Sequence, residues 1–269
     1  MKYAPYLLLL LGSILLIASS NYWKNVWLLT RGKVAQKSYL ESVDFEWING
    51  LIVVEAKVNQ HPQALKFIFD TGAFDNKIGE EWQVPLQLQA RAKKMKSDSR
   101  GNQRAIQMTL IESVQLGKVE FKNSAAGILA YPPNSISKCI APDGLIGANL
   151  IRACHWKIDF VQQKLWMTDD FANFKKLGWH PDHALSFKHP LLSHTPKIEL
   201  KVGQQTIDGI LFDLGSNGGL DLPKSIYQSV QAELAPEVHL TIDNVTSGIW
   251  GSKQDTLKVA KADLTIGGR

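Results

Sequence analysis

Two short stretches of the chain place acids where acids are costly. Phe67-Ile68-Phe69-Asp70-Thr71-Gly72-Ala73 runs three apolar residues into an aspartate, a small hydroxyl residue and a glycine. Ile210-Leu211-Phe212-Asp213-Leu214-Gly215-Ser216 repeats the pattern 143 residues downstream, with Leu214 in place of the hydroxyl residue. An apolar run closed by a turn signal reads as a buried strand. A carboxylate at the end of such a strand needs a partner or a task, because burying it unpaired is expensive. Each acid is the natural partner of the other. Two carboxylates about 3 Å apart cannot both ionise cheaply, so the pair shares one proton. The ionised member can then take a proton from a water held between them. The protonated member can hydrogen-bond a carbonyl and stabilise the charge that develops on it.

The residues flanking the acids differ. Gly72 and Gly215 both allow a sharp turn that brings backbone N–H groups toward the carboxyls. Ser216 offers a hydroxyl to Asp213, whereas Ala73 offers none to Asp70. Hydrogen bonds to a carboxylate favour its charged form. The expectation is therefore that Asp213 is the base and Asp70 carries the proton.

Strands must hold these loops. Leu51 to Val58 is β-rich with partial alternation, Asn59 to Gln63 reads as a turn, and Leu65 to Phe69 is the strand that ends at Asp70. Lys93 to Gln107 is polar with Gly101-Asn102 inside it, the composition of a mobile hairpin. Met108 to Leu116 alternates, Gly117-Lys118 turns, and Val119-Glu120-Phe121 resumes. Asp143 to Ile151 is apolar and punctuated by glycine, and His155–Phe160 and Lys164–Met167 read as two short strands.

The second half restarts the first. Val54–Asn59 aligns with Ile198–Gly203, Phe67–Asp70 with Ile210–Asp213, and Val114–Gly117 with Leu264–Gly267. Asn244 to Gln254, with Trp250-Gly251, stands where the first copy has its polar hairpin. After Gly117 the first copy runs on through Met167, but only Gly268 and Arg269 follow Gly267. On that comparison the second copy is expected to be incomplete and the natural chain to continue further.

Composition sets the class. With 45% hydrophobic and 20% charged residues the 269-residue chain is globular and can build a sizeable core. Its formal charge of +5 is densest at Arg91, Lys93, Lys94, Lys96, Arg100 and Arg104. No aromatics interleave there for base stacking, so the cluster reads as a solvated loop and no nucleic-acid partner is expected. Cys139 and Cys154 have the spacing of neither a zinc site nor a redox pair, and either close a disulfide or stand as free thiols. His180, His183, His189 and His194 fit no common zinc pattern, and no metal is expected.

The N-terminus carries a targeting signal. Lys2 precedes an apolar run from Ala4 to Ala18, and Ala18-Ser19-Ser20 suits a signal peptidase. Residues 4–23 could equally stay as a membrane anchor, with Tyr22, Trp23 and Trp27 at the interface. Either way the bulk of the chain is expected to be exported, to a periplasmic or extracellular location. The divisions are 1–22 signal or anchor, 23–45 linker, 46–170 first lobe, 171–195 connector and 196–269 truncated second lobe.

Asp70-Thr71-Gly72-Ala73 after its apolar strand resembles the active-site signature of the retropepsin-like and pepsin-like aspartic peptidases. Leu145-Ile146-Gly147-Ala148-Asn149-Leu150-Ile151 looks like their second signature, which packs beneath the catalytic loop. The resemblance covers residues 48–168 and, as an incomplete copy, 195–269. It implies a mainly β fold of two similar barrel lobes, here with the second incomplete and a hydrophobic helix in front, and with the site between the lobes. It also implies hydrolysis of peptide bonds in a peptide or protein substrate, without metal or organic cofactor. Asp70 and Asp213 would be catalytic, supported by Thr71, Gly72, Ala73, Gly215 and Ser216. Arg100, Gly101 and Asn102 would form the tip of a flap that excludes water. Leu214 departs from the pattern. The family normally has Thr or Ser there, whose hydroxyl bonds to the other lobe's loop. Thr71 can make that bond and Leu214 cannot return it. Two alternatives stay open: a homodimer active through Asp70 alone, and a peptide-binding module without catalysis.

Overall fold

The computed structural model describes residues 12, 22–98, 101–132, 135–179, 194–233, 240–248, 250–259 and 263–266. A helix α1 (22–30) leads into the strands β1 (Lys33–Val34), β2 (Leu40–Ile48), β3 (Leu51–Val58), β4 (Leu65–Phe69) and β5 (Asn76–Gly79). Next come β6 (Ala92–Ser97), β7 (Gln103–Leu116), β8 (Val119–Leu129), α2 (Ile136–Ile140), β9 (Gly144–Ile146), α3 (Ala148–Ile151), β10 (His155–Asp159) and β11 (Lys164–Thr168). The eleven strands form one sheet in the order β10-β11-β2-β3-β4-β9-β5-β8-β7-β6, with β1 added to β8. Pairing of β3 with β7 folds the sheet back on itself.

β3 shows why this half folds as it does. Ile52, Val54, Ala56 and Val58 point into the main core with Phe67, Phe69, Leu116, Phe121 and Met167. Leu51 and Val53 point the other way, into a second cluster with Ile68, Leu145 and Ile140. A strand covered on both faces reads as continuous apolar sequence, and one covered on a single face alternates. The string Leu51-Ile52-Val53-Val54 followed by Glu55-Ala56-Lys57-Val58 records that change along one strand.

The second half contributes β12 (Lys197–Val202), β13 (Gln205–Leu211), α4 (Lys224–Val230), β14 (Leu240–Gly248), β15 (Gly251–Val259) and β16 (Leu264–Ile266). They form a three-stranded sheet, β13-β12-β16, and a separate β14–β15 hairpin. The repeat survives at the level of register. Lys57 pairs with Gln115 and Val58 with Val114 in the first lobe. Their repeat counterparts pair likewise, Lys201 with Thr265 and Val202 with Leu264. The molecule is mainly β with sheet-rich lobes, as the sequence implied. The β9 segment beside Phe67–Phe69 has no counterpart among the described residues of the second half. Phe69 is accordingly 1% exposed and Phe212 36%.

Two expectations need correction. The segment 23–45 is no slack linker: α1 occupies its start, β2 begins at Leu40, and Leu28 and Leu29 are buried against Ile106 and Met108 of β7. Nor is the basic cluster wholly solvated. Residues 92–97 alternate between half-buried and exposed, with Lys94 and Lys96 turned inward. Residues 1–11 and 13–21, expected as signal or anchor, lie outside the described residues. Among the described residues no helix is long and apolar enough to cross a membrane.

Candidate active site

The Asp70 loop is held from three sides. The Asp70 N–H donates to the Ile146 carbonyl at 2.9 Å, extending the parallel pairing of β4 with β9. The Ala148 N–H donates to the Ala73 carbonyl at 2.8 Å, and the Gly147 N–H to Asn76 Oδ1 at 2.9 Å. The Asn76 N–H donates to Asn149 Oδ1 at 2.9 Å, and both side-chain amides donate to the Ala125 carbonyl. The segment Leu145–Ile151 therefore lies where the resemblance put it, against the loop.

Asp213 is brought to the same place from the second half. A Cβ on Gly72 would overlap the carboxyl carbon of Asp213, and a Cβ on Gly215 would overlap that of Asp70. Each carboxyl thus sits in the space that the other loop's glycine leaves empty, which only glycine permits. The Ala73 N–H donates to Asp70 Oδ1 at 2.8 Å, and the Gly215 N–H donates to Asp213 Oδ1 at 2.8 Å. Burial, followed by the charge of Asp213, raises the Asp70 carboxyl to about 7, against smaller opposing effects of the Ala73 N–H and Lys77. Burial and the neighbouring Asp213 charge both favour the protonated form of Asp70.

Thr71 ties the loops together from one side. Its hydroxyl donates to the Phe212 carbonyl at 2.7 Å and accepts from the Leu214 N–H at 2.9 Å. Leu214 has no hydroxyl to return these bonds, and packs instead against the main core of the first lobe. The Ser216 expectation fails. Its Oγ accepts from the Gly218 N–H at 3.4 Å and makes no bond to Asp213.

The expected hairpin forms between β6 and β7, with Ser97 opposite Gln103. Its turn is closed by the Asn102 N–H on Asp98 Oδ1 at 2.9 Å, and Gly101 takes the left-handed conformation at φ 78°. Arg100 lies outside the described residues. The counterpart hairpin pairs Asn244 with Asp255 and Val245 with Gln254. At its turn Trp250 is buried in the first lobe's cluster of Leu28, Leu29, Ile106, Met108 and Leu129. His194 stacks on Phe74 with centroids 5.6 Å apart, while His180, His183 and His189 lie outside the described residues. Cys139 and Cys154 are free thiols, and burial pushes that of Cys154 up to about 12.

Sequence reasoning missed the charged group behind the loop. Asp75 is fully buried, and its Oδ1 accepts from Lys77 Nζ at 2.5 Å and from Lys96 Nζ at 2.7 Å. Burial alone would raise the Asp75 carboxyl, but the two ammoniums hold it below the usual range. Burial pulls Lys96 down to about 8, opposed by Asp75 and assisted by the charges of Lys77 and Lys94. Asp143 was read only as the start of an apolar stretch. Its carboxylate accepts from the Lys66 N–H at 2.6 Å and from Trp82 Nε1 at 2.7 Å. The available signal was position, since Asp75, Lys77 and Asp143 each interrupt an apolar setting within or beside a recognised motif.

Comparison with known proteins bears on this lobe. Residues 54–150 match the family model described as aspartyl protease. No curated protein matches the chain. Among solved structures, a retropepsin-like aspartic protease from Rickettsia conorii aligns at 21% identity and a TM-score of 0.34, covering 51% of this chain and 90% of its own. The family match spans the strand leading into Asp70-Thr71-Gly72-Ala73 and reaches through the Gly147 segment that holds the loop. The sequence resemblance of the segment carrying Asp70 thus has a counterpart in a match to the aspartyl protease family over residues 54–150.

Proposed function

We propose that the chain is an aspartic endopeptidase in which Asp70 and Asp213 act as one pair. The observation that carries this reading is the seating of each carboxyl on the other loop's glycine. Asp213 takes a proton from the bound water, whose oxygen attacks the scissile carbonyl carbon. Asp70 donates its proton in a hydrogen bond to the carbonyl oxygen and stabilises the tetrahedral intermediate. The proton gained by Asp213 passes to the amide nitrogen, the C–N bond breaks, and the amine leaves. The β6–β7 hairpin closes over the peptide and excludes water.

The location proposed is exported, periplasmic or extracellular, with the N-terminal segment serving either as a cleaved signal peptide or, over residues 4–23, as a membrane anchor. Its support is the apolar run of the sequence together with α1, where Tyr22, Trp23 and Trp27 are 51%, 64% and 46% exposed. The Arg31 guanidinium stands 4.3 Å from the Trp27 ring centroid. Exposed aromatics beside a cation suit the lipid headgroup region.

The test is hydrolysis of a mixed peptide library between about pH 3 and 7, the range over which such a pair loses its first proton and keeps its second. Cleavage blocked by a hydroxyl-containing mimic of the tetrahedral intermediate, with specific activity independent of chain concentration, is the expected result. Activity that rises with chain concentration would favour the homodimer using Asp70 alone. No cleavage by the folded protein would favour the peptide-binding module.

Leu214 is the observation that favours that last reading. The lock between the loops is made from Thr71 only. Leu214→Thr restores the reciprocal hydroxyl and is expected to raise kcat/KM about fivefold, the worth of one hydrogen bond of about 1 kcal/mol. Unchanged kcat/KM in a variant of wild-type stability would remove the lock as a limit on activity.

A further inference from the structure

The inner face of β6 holds more positive charge than its surroundings balance. Lys77 and Lys96 both place their ammoniums on Asp75 Oδ1. The side chain of Lys77 is 6% exposed and that of Lys96 11%, so water screens neither well. Lys94, two residues along the same face, lies with its Nζ 4.6 Å from the Phe74 ring centroid, and that of Lys96 lies at 5.1 Å. Among the described residues Lys94 pairs with no carboxylate. Asp75 supplies one negative charge and the proton-sharing pair another, against three ammoniums. Phe74 follows directly on Ala73, whose N–H binds Asp70. The surplus cation therefore stands over Phe74, two residues along the chain from Gly72 of the Asp70 loop.

We propose that Lys94, backed by Lys96, forms a subsite for a carboxylate of the substrate, so that the preferred peptides carry Asp or Glu at one position flanking the scissile bond. The acidic side chain lies over the edge of Phe74 and accepts a charge-assisted hydrogen bond from Lys94 Nζ. Closing the β6–β7 hairpin brings Lys94 onto the peptide and removes water from the contact, which strengthens it. A basic or neutral residue at the same position meets an unbalanced ammonium and is disfavoured. The subsite rests on the peptidase reading only for where the peptide runs. Its charge selectivity would operate equally in a binding module.

The test uses the full chain and paired peptides that differ by Glu against Gln at each position around a cleaved bond. At one position the acidic peptide should be preferred by about tenfold in kcat/KM, with the preference shrinking as salt is raised. Lys94→Gln should bring the Glu-to-Gln ratio close to one, and Lys94→Arg should keep it. If no peptide is hydrolysed, the Kd values of the same uncleaved pairs give the ratio directly. An acid preference in binding without hydrolysis sinks the peptidase reading and leaves the subsite standing. Hydrolysis with no acid preference at any position, or a preference that survives Lys94→Gln, overturns the subsite alone.

Discussion

Replacing Asp70 by asparagine is expected to lower peptide hydrolysis by about 10³-fold, the scale on which a positioned acid or base acts, while the protein stays folded. The amide can still accept the Ala73 N–H that now reaches Asp70 Oδ1, so the loop keeps its support. What it cannot do is hold the shared proton. The second effect of the substitution is on pH dependence. The folded state raises the Asp70 carboxyl from its usual 3.8 to about 7, chiefly by burial and the charge of Asp213. Between those values the folded protein binds a proton that the unfolded chain has released. The stability this proton supplies is complete below the lower value and is lost as pH rises through the upper one. Wild-type stability should therefore fall between about pH 4 and 7, and wild-type activity should fall above about pH 7, where the pair loses its last proton. Asp70→Asn should flatten the stability curve over that interval. Urea denaturation and library hydrolysis at matched pH values check both statements. An Asn variant that still cleaves would remove Asp70 from the chemistry, and an unchanged slope would remove the buried proton.

The parts of this site legible in the sequence were those written as local pattern. Asp70 and Asp213 end apolar strands, and a two-residue period or an unbroken apolar run is visible without knowing any partner. The repeat was legible because both copies solve the same packing problem, down to the equivalent pairings of β3 with β7 and β12 with β16. What failed depended on which side chains meet across the fold. Ser216 sits beside Asp213 in sequence, but its hydroxyl turns to the Gly218 N–H. Lys96 reads as one of a run of solvated lysines, and only the pairing of β6 on β7 turns it toward Asp75. The α1 segment passed for a linker because Lys24, Asn25, Thr30 and Arg31 interrupt or follow its apolar residues, and only the fold shows Leu28 and Leu29 buried.

Asp75→Asn should be the most damaging single change away from the Asp70–Asp213 pair, costing about 3–5 kcal/mol, the usual result of removing one partner from a buried ionic group. It leaves two ammoniums buried side by side with no carboxylate between them. The cost should depend on pH in a definite direction. In the wild type Lys96 is already lowered to about 8, mainly by burial, and it sinks further without Asp75. Above that value the folded protein holds fewer protons than the unfolded chain, whose lysines titrate near 10.4. Stability of the variant should accordingly recover as pH is raised toward about 10. In the wild type the Asp75 contribution is present above the ordinary carboxylate range and disappears as acid takes the pH down through its lowered folded value. Replacing the whole group, Asp75→Leu with Lys77→Met and Lys96→Met, should restore most of the stability, since a buried ionic triad contributes little beyond what apolar packing of the same volume supplies. Because Lys96 lies on β6 and Asp75 on the loop beyond Phe74, the single variant should also loosen the hairpin, seen as faster amide exchange over Ala92–Ser97. Guanidinium denaturation of the single and triple variants at about pH 6 and 9.5, on either side of the Lys96 midpoint, decides the matter. A single variant within about 1 kcal/mol of wild type, or a triple variant no better than the single, would mean that the three groups are solvated and that no charge is stored beneath the hairpin.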